Sequence, residues 1–213
     1  MAIFLKKFET MSQYNAYTAD TANFILPNVS LTVDNDTVHY NPSTPPTPVE
    51  TRLVAKYNVY DTSSPTQIIG EESTSYFSSI EIDGVEQAEI TTAYTFSTIG
   101  EHTVKYTLAD PTSIGNGAFS PCGSITSIDI PNGVTSIDDY AFDSCSSLSS
   151  VTIPNSVTSI GWGSFNYCSG LTNINIPNSV ISIDYYAFCG CESLDATTVA
   201  TIEEISEYAF YCD

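Results

Sequence analysis

The sequence predicts a mainly β protein: a small N-terminal helix–hairpin module, a β-sandwich, and a C-terminal solenoid with a 23-residue period. Three observations carry this reading. Phe119, Phe142, Phe165 and Phe188 recur every 23 residues, as do Cys122, Cys145, Cys168 and Cys191. Such self-similarity at fixed spacing is the mark of stacked repeats. Residues 49–112 alternate apolar and polar side chains between Gly, Asp and Asn turns, the pattern of short strands. Ahead of them, Ser-Thr-Pro-Pro-Thr-Pro at 43–48 reads as a stiff extended linker that sets residues 1–42 apart.

In residues 1–42, Phe8, Met11, Tyr14 and Tyr17 stand at near-helical spacing and predict a short helix. Phe24–Val33 and Thr37–Tyr40 are strand-like. Asp34-Asn35-Asp36 joins them with residues that tolerate left-handed backbone and bond their own loop. A module this small buries little surface, so residues 1–42 are expected to anchor on a partner or a second copy of the chain.

In residues 49–112, Leu53, Ala55, Tyr57 and Val59 share one face of a strand; Arg52, Val54, Lys56 and Asn58 share the other. Ile68-Ile69, Ile80-Glu81-Ile82, Tyr94-Thr95-Phe96 and His102–Leu108 follow, with turns at Asp83-Gly84 and Ile99-Gly100. This order resembles a bacterial immunoglobulin-like module, a spacer by expectation.

From 113 to 213 each unit reads F-x-x-C-x-x-L-x-x-I-x-I-P-N-x-V-x-x-I-x-x-x-A. The L-x-x-I-x-I core predicts a strand, and Pro131, Pro154 or Pro177 stops it because proline cannot donate to a ladder. A last unit, with Ile205 and Phe210 one residue early and Ala200 in place of the proline, completes the array. A single unit closes no core; stacked units bury one continuous core. The four period-23 cysteines read as buried thiols. That spacing is not a zinc spacing and the repeats hold no His, so neither a metal nor a cofactor is expected.

The segments I-G-N-G-A-F (114–119), V-T-I-P-N-S-V-T-S-I-G (151–161) and I-N-I-P-N-S-V-I-S-I (174–183) closely resemble the BspA-like leucine-rich-repeat family. The resemblance implies a surface interaction protein, not an enzyme. F-I-L-P-N-V-S-L-T-V-D-N-D-T-V-H-Y-N-P (24–42) resembles an N-terminal module of structural proteins of gut Bacteroides phages, crAss-like phages among them. That resemblance implies attachment to a virion, as a head fibre or capsid decoration.

The chain carries 25 acidic and 5 basic residues, a net charge of −20. Residues 113–213 hold eleven acids and no Lys or Arg. This excludes nucleic acid and anionic membranes as partners, since both are held by basic side chains. The apolar stretch in Met1–Phe8 is far shorter than a signal-peptide core. A cytoplasmic start with free thiols is therefore expected. His39 and His102 fall in different regions. The acid pairs Glu71-Glu72, Asp138-Asp139 and Glu203-Glu204 are adjacent, so on a strand their members face opposite ways. No catalytic constellation is expected.

Binding is the better expectation. Just before each Ala-Phe or Ser-Phe corner the repeats vary, bringing Tyr140, Trp162, Tyr185, Tyr186 and Tyr208 to equivalent places. If they point outward they form an aromatic row beside carboxylates, suited to sugar rings or a protein patch. If they lie on one another they are part of the stack. The expected protein is a non-enzymatic, oligomeric virion surface protein. It is held to a capsid or other virion protein by residues 1–42 and binds a host-surface protein or glycan through its repeats. The alternative is a bacterial cell-surface adhesin, and a third reading is an accessory module holding glycans near an enzyme.

Overall fold

The computed structural model describes residues 29–34, 37–42 and 52–212. The chain divides into two compact units, Met1–Val49 and Glu50–Asp213. In the first, β1 (Val29–Asp34) and β2 (Thr37–Pro42) pair antiparallel with Asp34 opposite Thr37. Asn35 and Asp36 of the expected turn lie outside the described residues. The helix expected within 8–17 and the linker 43–48 lie outside the described residues.

The second unit opens with β3 (Leu53–Val59), β4 (Thr66–Gln67), β5 (Phe77–Ile82), β6 (Val85–Glu86), β7 (Ala93–Tyr94) and β8 (Gly100–Leu108). The alternation read from β3 holds: Leu53, Ala55, Tyr57 and Val59 are buried, while Lys56 is exposed. The turn at Asp83-Gly84 is left-handed at both residues, φ 48° and 83°. The tyrosine hydroxyls of Tyr57 and Tyr106 both donate to the Ile68 carbonyl, each at 2.7 Å.

An independent immunoglobulin-like sandwich over 49–112 does not form. The β6–β5–β8–β3 strands continue directly into the repeats, making one seven-stranded sheet. β3 pairs antiparallel with β10 (Ile125–Asp129), the first repeat strand. The physical reason is the open end of a solenoid, whose first rung has no neighbour to cover its apolar face. Phe77 and Tyr106 cover it, with ring centroids 5.6 and 5.2 Å from Phe119. Residues 52–112 cap the N-terminal end of the solenoid within the compact unit Glu50–Asp213.

The repeats build two parallel ladders. β10, β12 (Ser150–Thr152) and β14 (Asn173–Asn175) pair with Ser127, Ser150 and Asn173 in register. β9 (Ser113–Ile114), β11 (Ser136–Ile137), β13 (Ser159–Ile160) and β15 (Ser182–Ile183) form the second. In both, paired residues differ by one period, so identical side chains stack in columns. Phe119, Phe142, Phe165 and Phe188 form one buried file with centroids 5.3, 5.1 and 5.2 Å apart and rings within 13° of parallel.

The cysteine column is buried and free, as read. Its thiols also hydrogen-bond down the stack. Cys145, Cys168 and Cys191 donate to the carbonyls of Phe119, Phe142 and Phe165 at 3.2, 3.1 and 3.1 Å. Burial pushes the Cys145 and Cys191 thiols up to about 12, so they stay protonated donors. The other two cysteines correct the expectation of free thiols throughout. Cys189 and Cys212, again 23 residues apart, form a disulfide. The last unit runs one residue early, so Cys212 stands one place beyond the equivalent of Cys189, and adjacent rungs still bring their α-carbons within bridging distance, 5.4 Å.

The last unit is not another strand. Where earlier rungs place I-x-I-P-N, α1 (Ala196–Ile205) forms. The Asp195 carboxylate accepts from the Thr197 and Thr198 amides, an N-cap, and Ala200 replaces the proline that would end a helix. α1 takes the place of the next strand beyond β14, and the corner that follows it still stacks on the rung before, with the Phe188 amide donating to the Ala209 carbonyl.

Candidate functional site

The corner that joins each β-ladder residue pair to the next Phe places the variable residues. At this corner Gly117, Tyr140, Gly163 and Tyr186 share one left-handed conformation, φ 62°, 54°, 57° and 59°. Glycine takes it freely; a tyrosine does so at a cost of about 1–2 kcal/mol. The two tyrosines alternate with two glycines, and Gly163 leaves room for the Tyr140 ring one rung back. A β-carbon on Gly163 would stand 3.1 Å from the Tyr140 ring.

The five aromatics read from the sequence come together as one ladder. Tyr140 meets Trp162 edge-to-face at 4.6 Å, and Trp162 meets Tyr186 edge-to-face at 5.0 Å. Tyr185 lies 6.3 Å from Tyr186 and stacks on Tyr208 at 4.6 Å with rings 12° apart. The rings lie on one another, and yet Tyr140 and Tyr185 keep 36% and 46% of their surface exposed. Trp162, Tyr186 and Tyr208 are half-buried.

Two further tyrosines escaped the sequence reading. Tyr211 extends the ladder, 5.3 Å from Tyr208. Tyr167, exposed and also left-handed, lies over Gly190 one rung on. The signal was present: Tyr140 to Gly163 and Tyr167 to Gly190 are both tyrosine–glycine pairs one period apart.

Carboxylates fix the corner. Asp139 accepts the Trp162 amide at 2.9 Å, and Asp184 accepts the Tyr185 amide at 2.7 Å. Asp138 accepts from the Ser113 and Ser136 hydroxyls. Partial burial, then the charges of Asp143 and Asp139, raise the Tyr140 phenol above its ordinary value. Beside the ladder lies an open groove of about 370 Å³, bordered by Asp138, Asp139, Asp184, Ser159, Gly161 and Ser182. Asp138 and Asp139 both border it, against the expectation of opposite faces, because they follow β11 into a turn rather than continue an extended strand.

His102 is in the cap. Its Nδ1 lies 2.6 Å from the Asp83 carboxylate, and its Nε2 lies 2.9 Å from the Thr98 carbonyl. Both ring nitrogens face acceptors, an arrangement that holds the turn to β8. Among the described residues no group of three or more His, Cys, Asp or Glu is placed to hold a metal ion. No helix among them is long and apolar enough to cross a membrane.

Stacked rungs with a file of core phenylalanines and paired parallel ladders define a leucine-rich-repeat solenoid. Residues 112–213 match the family described as BspA type leucine rich repeat region, in six copies. Three solved structures are similar over part of the chain. A leucine-rich repeat protein from Bacteroides ovatus is 38% identical, covering 42% of this chain and 22% of that one, with a TM-score of 0.37. A leucine rich cell surface protein from Faecalibacterium prausnitzii is 37% identical, covering 43% and 24%, with a TM-score of 0.35. The T. pallidum leucine rich repeat protein is 34% identical, covering 32% and 34%, with a TM-score of 0.31. The matched part thus spans between 22% and 34% of those proteins' lengths. A search of curated proteins finds no match.

Proposed function

We propose that this protein is a non-catalytic binding protein that displays its repeats at a surface, with the Tyr140–Trp162–Tyr186–Tyr185–Tyr208 ladder as the contact strip. The observation that carries this reading is the ladder itself. Two of its tyrosines hold left-handed backbone that two other rungs give to glycine. Strain kept at an exposed aromatic corner is a feature of functional sites. The ligand is a host-surface protein or a glycan, held weakly by one copy and tightly by many.

The display platform is a virion, with residues 1–42 attached to a capsid or other structural protein as a head fibre or decoration, and with several copies together. The likeness of residues 24–42 to phage structural modules supports this. A second reading, a bacterial cell-surface adhesin, is favoured by the BspA-type repeats. The Cys189–Cys212 disulfide suits either destination, since both expose the protein to an oxidising exterior.

The contact strip is tested on arrays of glycans and of host-surface proteins, with Trp162→Ala and Tyr185→Ala beside the wild type. Loss of signal in both variants is expected; equal binding by all three removes the strip. The platform is tested by antibody labelling of purified particles in the electron microscope and by the genes alongside. Labelled particles and neighbouring capsid genes favour the virion. Unlabelled particles leave the adhesin.

A further inference from the structure

We propose that the groove and the aromatic ladder together bind a basic peptide segment of a partner protein, with Arg or Lys side chains set between the ladder and the carboxylates of Asp139 and Asp184. This rests on the reading of the ladder as the contact strip and names the chemistry of its ligand.

Charge is the first argument. Residues 113–213 contain no Lys or Arg. The cations among the described residues, Arg52, Lys56 and Lys105, all belong to the N-terminal cap and pair with Glu81 or Glu101. The solenoid therefore supplies no counter-charge of its own to the three aspartates that border the groove. Asp139 and Asp184 each hold one oxygen on a backbone amide. That fixes the carboxylates in place and leaves the second oxygen of each to accept from a ligand. A guanidinium matches this set, since its planar fork bonds carboxylates and its face packs on aromatic rings.

Ring geometry is the second argument, and it turns the choice away from a sugar. A sugar ring needs a flat open aromatic face. Trp162 instead meets both its neighbours edge-to-face, at 67° and 78°, and Tyr185 and Tyr208 cover one face of each other. The groove offers carboxylate acceptors, which repel acidic glycans and attract a cation. The strip runs along successive rungs, so an extended peptide can meet it with alternate side chains.

Trp162 is the only tryptophan in the chain, so its emission reports on this site directly. The full chain is titrated with an alternating Arg-Gly decapeptide, its Asn-Gly counterpart, and a neutral cello-oligosaccharide. The Arg peptide is expected to shift Trp162 emission saturably, and the Asn peptide is not. Asp139→Asn combined with Asp184→Asn keeps both oxygen acceptors for the amides, so the corner stays folded. This pair is expected to weaken the Arg peptide about tenfold. Glu203→Gln combined with Glu204→Gln on α1 removes the same charge outside the strip and is expected to change it by less than about twofold. Equal losses in the two double variants would show attraction to bulk charge alone and overturn the proposal. A response to the saccharide but not the peptide would keep the contact strip and overturn the basic ligand. No response to either, together with unaffected array binding by Trp162→Ala, would overturn both.

Discussion

The ring of Tyr140 lies over Gly163, one rung further along, so closely that a β-carbon on Gly163 would stand 3.1 Å from two of its atoms. Gly163 is itself left-handed at φ 57°. The glycine therefore does two things: it accepts a backbone that other residues resist, and it leaves the space in which Tyr140 settles against Trp162.

Gly163→Ala is expected to cost about 1–2 kcal/mol, from the left-handed backbone alone. It should also lift the Tyr140 ring and expose Trp162, giving a red-shifted emission. Thermal melts and the emission spectrum check both effects. An unchanged spectrum would separate Gly163 from the placement of the ladder.

Ser164→Ala should leave stability unchanged or raise it by about 1 kcal/mol. Ser164 is fully buried in a column that is otherwise Ala118, Ala141 and Ala187, and its hydroxyl has no partner. Removing a buried, unsatisfied hydroxyl takes away a desolvation cost. Denaturant melts measure the change; a clear destabilisation would reveal a bond to that hydroxyl.

Reducing Cys189–Cys212 frees a 23-residue loop and is expected to cost roughly 3 kcal/mol, concentrated in the last rung and α1. Alkylation followed by mass spectrometry should label Cys189 and Cys212 after reduction and spare Cys122, Cys145, Cys168 and Cys191 until global unfolding. Cys212→Ser without reductant should reproduce the loss. Early labelling of Cys145 would mean that the core opens with the cap.

Stability should fall as pH rises through the titration of His102. Burial opposes its charged form, but hydrogen bonds to Asp83 and the Thr98 carbonyl outweigh burial, so its folded pKa lies above the ordinary 6.5. A raised folded pKa binds more protons in the native state. The stabilisation is therefore complete below about pH 6.5 and is lost as pH climbs through the folded value. Asp83→Asn keeps a residue suited to the left-handed turn and should flatten this dependence. Melts between about pH 6 and 8 test it, and an equal slope in wild type and variant would discount the pair.

Much of this molecule is legible from column arithmetic. The period of 23 in Phe, Cys and Ile defines rungs whose equivalent residues stack, so the buried file of Phe119, Phe142, Phe165 and Phe188 follows from the sequence. The same arithmetic places Tyr140, Trp162 and Tyr185 on one corner, and alternation identifies the buried face of β3. These are repeating local patterns, and local spacing fixes which side chains face inward.

What the tertiary structure decided are the ends and the partners. Short alternating strands look alike whether they form a sandwich or cap a solenoid; the difference is that β10 takes the free edge of β3. The helix α1 rests on the Asp195 N-cap and the missing proline, while the repeat column Ile130, Ile153, Ile176 and Val199 by itself does not separate it from the strands of the earlier units. Cys189 and Cys212 sit outside the Phe-x-x-Cys column, and only the meeting of two rungs makes them a bond. Periodicity constrains the interior, where every rung has the same neighbours. At an end or an exposed corner the neighbours differ, and there pairing in space decides the structure.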